Sequence, residues 1–282
     1  KEPGTLPLLT DRATTDPHEA PRFFALHLLA VHFAKEPGTL PLLTDRATTD
    51  PHETPRFFAL QLLAEHFAKE PGTLPLLTDR ATTDLHETPR YTALQLLAVH
   101  FAKEPGTLPL LTDRATTDPH ETPRQTALQL LAEHFAKEPG TLPLLTDRAT
   151  TDPHEIPRYT AFELLIQGFL EQPETLVFLQ GRVRTEREPA LRARAFQALA
   201  AALPSEDVYE VGTSALDDDH PDVRVGGVWI LALGCPNDPR GRTVLRDRAQ
   251  SDPHADVQTA ASDALRAAEM LAPKESKLGS AI

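Results

Sequence analysis

The feature that most constrains this chain is a 34-residue segment that recurs almost unchanged. KEPGTLPLLTDRATTDPHEAPRFFALHLLAVHFA begins at Lys1, and copies begin at Lys35, Lys69, Lys103 and Lys137. The second copy differs from the first at three positions, and the fifth drifts after Ile156. Three divergent units follow, starting near Glu171, Ser205 and Asn237. A repeat this short cannot bury an apolar face alone. Copies stacked in order can, which predicts a one-dimensional array with no single central core. The sequence therefore predicts one repeat domain over 1–270, with units starting near 1, 35, 69, 103, 137, 171, 205 and 237. A tail over 271–282 (LAPKESKLGSAI) has no core pattern.

Each unit reads as two helices. In the first copy Thr5 is placed to cap a helix beginning Leu6-Pro7, with Leu6, Leu8, Leu9 and Ala13 as its apolar side. Asp16-Pro17-His18-Glu19 breaks that helix. A second starts at about Pro21, capped by Asp16 or residue 20, and runs to about Ala34. Its Ala25, Leu26, Leu29, Ala30 and Phe33 recur at the spacing of a buried helical face. No stretch alternates with period two, so no strand is expected.

Proline fits this division. The chain has 27 Pro in 282 residues, about twice the usual share of roughly 5%. Nineteen of them fall at unit positions 3, 7, 17 and 21 of the five similar copies, with Leu85 filling the remaining place. They punctuate helix ends and starts. With 40% hydrophobic residues the chain has enough apolar content for a core, so disorder is not expected.

The unit pattern L-L-x-D-R-A-x-x-D-P-H-x-x-V-R-x-x-A-L-x-x-L-A resembles a HEAT repeat. Asp222-Val223-Arg224 and Asp256-Val257 carry the usual form ahead of the second helix. In the first five copies that Val is Pro (Pro21, Pro55, Pro89, Pro123, Pro157), which should shift the helix start. The resemblance implies an all-α fold, a right-handed α-solenoid of about eight helical hairpins with second helices lining the concave side. These repeats also resemble those following the nucleotide-binding module of bacterial NACHT-type immune ATPases. No Gly-rich phosphate loop with Lys-Ser/Thr occurs in the chain, so such an NTPase module would lie outside it.

The differences among the copies are as informative as their sameness. Across the first four, only positions 17, 20, 23, 24, 27 and 31 vary. The last five lie on the second helix. At about 100° per residue they form one narrow stripe opposite the apolar face. The candidate binding residues are those of this stripe. They are Phe23, Phe24, His27 and Val31 in the first copy, and Phe57, Phe58, Gln61 and Glu65 in the second. The third contributes Tyr91, Thr92, Gln95 and Val99, and the fourth Gln125, Thr126, Gln129 and Glu133. Tyr159, Thr160, Glu163 and Gln167 complete it in the fifth. Phe23, Phe24, Phe57, Phe58, Tyr91 and Tyr159 are expected to form an aromatic patch in a groove, the kind of surface that marks a binding site. Trp229 takes a stripe position in the seventh unit.

Other repeated residues suit structural roles. His18-Glu19 and its four equivalents resemble the His-Glu pairs of di-iron HEAT-like hydroxylases. They sit in the turn, however, where Glu19 can complete a capping box. His32, His66, His100 and His134 are expected to be partly buried, flanking the apolar face near helix C-termini. Asp16 with Arg22, and their equivalents, resemble a ladder joining neighbouring units. Asp11-Arg12 is a solvated or inter-unit pair, and Cys235 a small buried residue.

These observations predict macromolecular recognition, with a protein or peptide as partner and no catalytic or metal residues. No cofactor is expected. The acidic balance, net −13 with pI near 5.4, disfavours nucleic acid, and the stripe carries no Lys or Arg in the first five copies. No apolar run or signal peptide points to a membrane, which suggests a cytoplasmic chain. The concrete expectation is the sensor region of a bacterial innate-immunity NTPase. A scaffold mediating self-association or enzyme docking is the alternative, and a di-iron hydroxylase ranks below both. Oligomeric state is open.

Overall fold

The computed structural model describes residues 4–271, with side-chain burial through residue 268. Residues 272–282 of the expected tail lie outside the described residues. The described chain holds sixteen α-helices and no strand. It divides into two compact units, residues 1–168 and 169–282.

The first unit comprises five hairpins. They are α1 (Thr5–Thr15) with α2 (Glu19–Phe33), α3 (Thr39–Thr49) with α4 (Glu53–Phe67), and α5 (Thr73–Thr83) with α6 (Glu87–His100). α7 (Thr107–Thr117) pairs with α8 (Glu121–His134), and α9 (Thr141–Thr151) precedes α10 (Glu155–Phe169). The second unit holds α11 (Pro173–Thr185), α12 (Pro189–Ala202), α13 (Ser205–Leu216), α14 (Pro221–Gly234), α15 (Pro239–Ser251) and α16 (Ala255–Leu271). The fold is of the all-α solenoid class, with five hairpins in the first unit and three in the second.

Within the first unit, α2, α4, α6 and α8 pack side by side, while the first helices of successive repeats approach each other less closely. The second helices are thus the tighter layer, and their crowded apolar sides make the core. Leu26, Leu60, Leu94, Leu128 and Phe162, at one unit position, are all fully buried. Leu43, Leu77, Leu111 and Leu145 seal them from the first helices. Position 8 does not join this core: Leu8 is exposed and its equivalents are half-buried. Burying one Leu side chain contributes about 1.5–3 kcal/mol, so each repeat gains from its neighbours what it cannot gain alone.

Three local expectations are corrected. Thr5 lies inside α1, and Gly4 is the cap residue with no side-chain bond. From the second repeat onward this Thr braces the hairpin junction instead. Thr39 Oγ1–H donates to the Phe33 carbonyl at 2.8 Å, and Thr73, Thr107 and Thr141 repeat the bond at 2.7 Å. The second helix begins at Glu19, not Pro21. His18 caps it in extended conformation, while Asp16 Oδ1 accepts the His18 N–H at 3.0 Å. Glu19 therefore occupies the first helical residue rather than closing a capping box.

Pro21 does not shift the helix start either. Glu19 in α2 and Pro221 in α14 are the same unit position, although Val223 replaces Pro in the latter. The reason is geometric. Proline at the third helical residue gives up only an N–H that has no intrahelical acceptor. Pro55, Pro89 and Pro123 are buried, as Val223 is.

Candidate functional site

The second-helix face is held by a ladder of buried ion pairs. Arg22 Nε and Nη2 donate to both oxygens of Asp50, one repeat on, at 2.8 Å each. Nη1 of the same guanidinium donates back to the Asp16 carbonyl at 2.8 Å. Arg56–Asp84, Arg90–Asp118 and Arg124–Asp152 repeat the fork within the first unit. In the second unit Arg224–Asp252 does the same, and Arg192–Asp218 forms the fork half-buried. Each carboxylate also accepts the N–H two residues on, as His52 donates to Asp50. Every charge is satisfied by fixed geometry, which sets the register of one second helix against the next.

Burial pushes Asp252 upward, but the Arg224 fork and the His254 N–H outweigh it and hold the carboxyl below its usual range. Asp218 behaves alike: burial raises it, while Arg192 and the His220 N–H bring it below the ordinary value. The His-Glu turns add an outer rung. His52 Nδ1 lies 3.7 Å from Glu19, His86 3.6 Å from Glu53, and His120 3.9 Å from Glu87. Among the described residues, no three His, Cys, Asp or Glu gather where they could hold one metal ion.

The predicted stripe is brought to one side of the second helices, but its five positions are not equivalent. Positions 27 and 31 are the open part. His27, Gln95 and Gln129 are exposed, as are Val31, Glu65, Val99 and Glu133, with Val99 at 63%. Gln61 is half-buried. Position 23 is half-buried in Phe23, Phe57, Tyr91 and Gln125, and Tyr159 is exposed.

Position 24 turns toward the seam between repeats. Phe58 stacks on Phe23 of the preceding repeat, with ring centroids 4.4 Å apart and planes 13° from parallel. At the same position Thr92 and Thr126 are buried. These two are packing residues, not open surface. A 100° wheel places position 24 only about 40° from the stripe centre; the sideways approach of the neighbouring helix decides that it is covered. Phe24 itself is 59% exposed. In the fifth repeat Thr160 and Glu163 are half-buried and Gln167 is exposed.

The aromatic patch is smaller than expected. Phe24, Phe23, Phe58 and Phe57 form one chain of rings, with the intrahelix pairs at 4.3 and 4.5 Å. Tyr91 and Tyr159 lie outside this ring cluster. Offset ring pairs of this kind contribute about 0.5–1.5 kcal/mol beyond burial, so the cluster is also a seam between the first two repeats.

The remaining sequence candidates resolve plainly. His32, His66, His100 and His134 are exposed rather than partly buried, because they fall just past the buried sector. Arg46, Arg80, Arg114 and Arg148 pair with the adjacent Asp of their own repeat, whereas Arg12 binds Asp16 rather than Asp11. Trp229 is 40% exposed on α14, and Leu233, one turn on, is 75% exposed. The sequence passed over Leu233, although its spacing from Trp229 was a usable signal. Cys235 is half-buried, and burial raises its thiol above the ordinary value. No helix among the described residues is long and apolar enough to cross a membrane.

The family model for HEAT repeats matches residues 6–98, 74–166 and 175–266. No curated protein sequence matches the chain. Among solved structures, the chain is similar to the Escherichia coli YibA protein at 16% identity, covering 92% of each chain with a TM-score of 0.53. It is also similar to Kap121p at 14% identity and a TM-score of 0.53, over 94% of this chain and 32% of that one. Kap121p bound to Nup53p gives 15% identity and a TM-score of 0.52, over 95% and 33%. At these identities the likeness is one of fold.

Proposed function

The chain belongs to the HEAT repeat family, and from that premise we propose that it recognises a protein or peptide through the second-helix face of its first five repeats. One observation carries this reading. Of the six positions at which the near-identical copies differ, five lie on the second helix, and three of these, 23, 27 and 31, are left half-buried or exposed along one side of it. Equally exposed first-helix residues such as Thr44 and Thr112 do not vary among the five copies. Drift would touch both sides. The binding of Nup53p by Kap121p lends support by fold analogy, which is a weaker warrant than the site itself. The finer form of the proposal is the sensor array of a larger, cytoplasmic, bacterial immune-type ATPase. It rests on the resemblance of the repeats.

The test is affinity capture with paired variants. Gln95→Arg/Gln129→Arg alters the open face, and Thr44→Arg/Thr112→Arg adds the same charge on the first helices. Both should keep wild-type helicity. Loss of the partner in the first variant and retention in the second is the expected result. Equal retention, or loss confined to the second, would overturn the reading. Trp229 and Leu233 favour a second reading, assembly through α14; sedimentation of Trp229→Ser against wild type decides it.

A further inference from the structure

The charge on the open face narrows the partner. Residues 1–168 carry 15 Lys and Arg against 23 Asp and Glu. All ten arginines of this stretch are already engaged. Arg22, Arg56, Arg90 and Arg124 are buried in the ladder, and Arg158 donates to the Asp152 carbonyl. Arg46, Arg80, Arg114 and Arg148 bind the adjacent Asp, and Arg12 binds Asp16. No arginine is left for the second-helix face, and no stripe position from Phe23 to Gln167 carries a lysine. What that face does present is acid and amide. Glu65 and Glu133 are exposed two repeats apart at the same unit position, with Gln95 and Gln129 beside them and the phenylalanine rings at one end.

We infer that this face takes an extended basic segment of a partner protein, its Lys or Arg side chains set by Glu65 and Glu133. The inference rests on the second-helix face being the binding surface. Neighbouring helices pack about 8–10 Å apart, so two repeats span about 16–20 Å. An extended chain covers that distance in five or six residues at about 3.3 Å each. The amides of Gln95, in the repeat between the two glutamates, and of Gln129, one turn from Glu133, can both donate to and accept from a main chain. The aromatic faces at one end suit an arginine or an apolar side chain.

Fluorescence anisotropy with labelled 15-residue peptides tests this. One peptide carries two Arg six residues apart in a Ser/Leu background, one carries Glu in their place, and one is neutral. The basic peptide should bind tightest, and Glu65→Gln/Glu133→Gln should weaken it about fivefold, the scale of two exposed ion pairs. Thr44→Lys/Thr112→Lys shifts the net charge equally on the other side and should leave binding unchanged. Equal binding of the neutral or acidic peptide, still lost in Gln95→Arg/Gln129→Arg, overturns the charge assignment and leaves the face standing. Binding of the basic peptide that responds equally to charge on either side overturns the inference as bulk attraction. Binding that no open-face substitution alters overturns both this inference and the proposed face.

Discussion

The near-identical repeats of residues 1–168 and the divergent ones that follow reach the same hairpin by different packing. In the first unit, Ala59, Ala93 and Ala127 sit fully buried at the contact between the two helices of a hairpin. In α14 that position is Gly227, where an added Cβ would lie 2.8 Å from the Leu216 N and 2.9 Å from the Gly212 carbonyl oxygen. Gly212 and Gly227 let α13 and α14 approach more closely than an alanine permits. Yet the Arg–Asp fork is the same in both units, with Arg90–Asp118 in one and Arg224–Asp252 in the other. Side-chain volume at the hairpin contact is negotiable between repeats. The buried charge that joins repeats is not.

The ladder gives the largest expected effect. Arg90→Met takes the fork from buried Asp118 and leaves it only the His120 N–H and Arg114 at 3.9 Å, which should cost about 3 kcal/mol in urea unfolding, while Arg90→Met/Asp118→Leu should recover most of that loss. Arg224→Met should cost a comparable amount in the second unit. A cost under 1 kcal/mol there would show that the units do not depend equally on the fork.

Gly227→Ala should destabilise the second unit by about 1–3 kcal/mol, since backbone cannot move aside as a side chain can. The reciprocal Ala93→Gly should cost about 1 kcal/mol, mostly through helix propensity. Similar small costs for both would dissolve the contrast in packing.

The second unit also has a defined acid response. Asp252 and Asp218 sit below their usual range when folded, so their contribution is present above the unfolded value of about 3.9 and fades as pH falls through the folded one. Thermal melts should therefore hold from pH 7 to about 5 and decline below about 4. The decline should shrink in an Asp252→Asn variant, which has already lost that charge.

The smallest effect concerns the seam. Thr92 Oγ1 is buried with no hydrogen-bond partner. Thr92→Val should therefore be neutral or stabilising by up to about 1 kcal/mol. A clear loss on calorimetry would mean that the hydroxyl is used.

The site was legible to different depths at different positions. Period alone placed positions 23, 27 and 31 on one side, because helical geometry maps spacing directly to angle. It could not separate position 24, since burial of Thr92 and Thr126 depends on how closely the next helix approaches. Likewise the resemblance to HEAT repeats marked Asp16 and Arg22 as partners across repeats. Whether the bond joins Arg22 to Asp16 or to Asp50 is a matter of stacking. The fold uses both, the carbonyl of the first and the carboxylate of the second.

By itself, then, the sequence determined the repeat, the two-helix unit, the buried Leu and Ala positions and the family, because each is written in spacing within 34 residues. The tertiary structure alone decided what each repeat does to the next. It made Thr39 a brace on the Phe33 carbonyl rather than a cap, left His32 in the open, and joined Phe23 to Phe58 while leaving Tyr91 outside. Those outcomes turn on distances between helices that are far apart along the chain, and local periodicity carries no information about them.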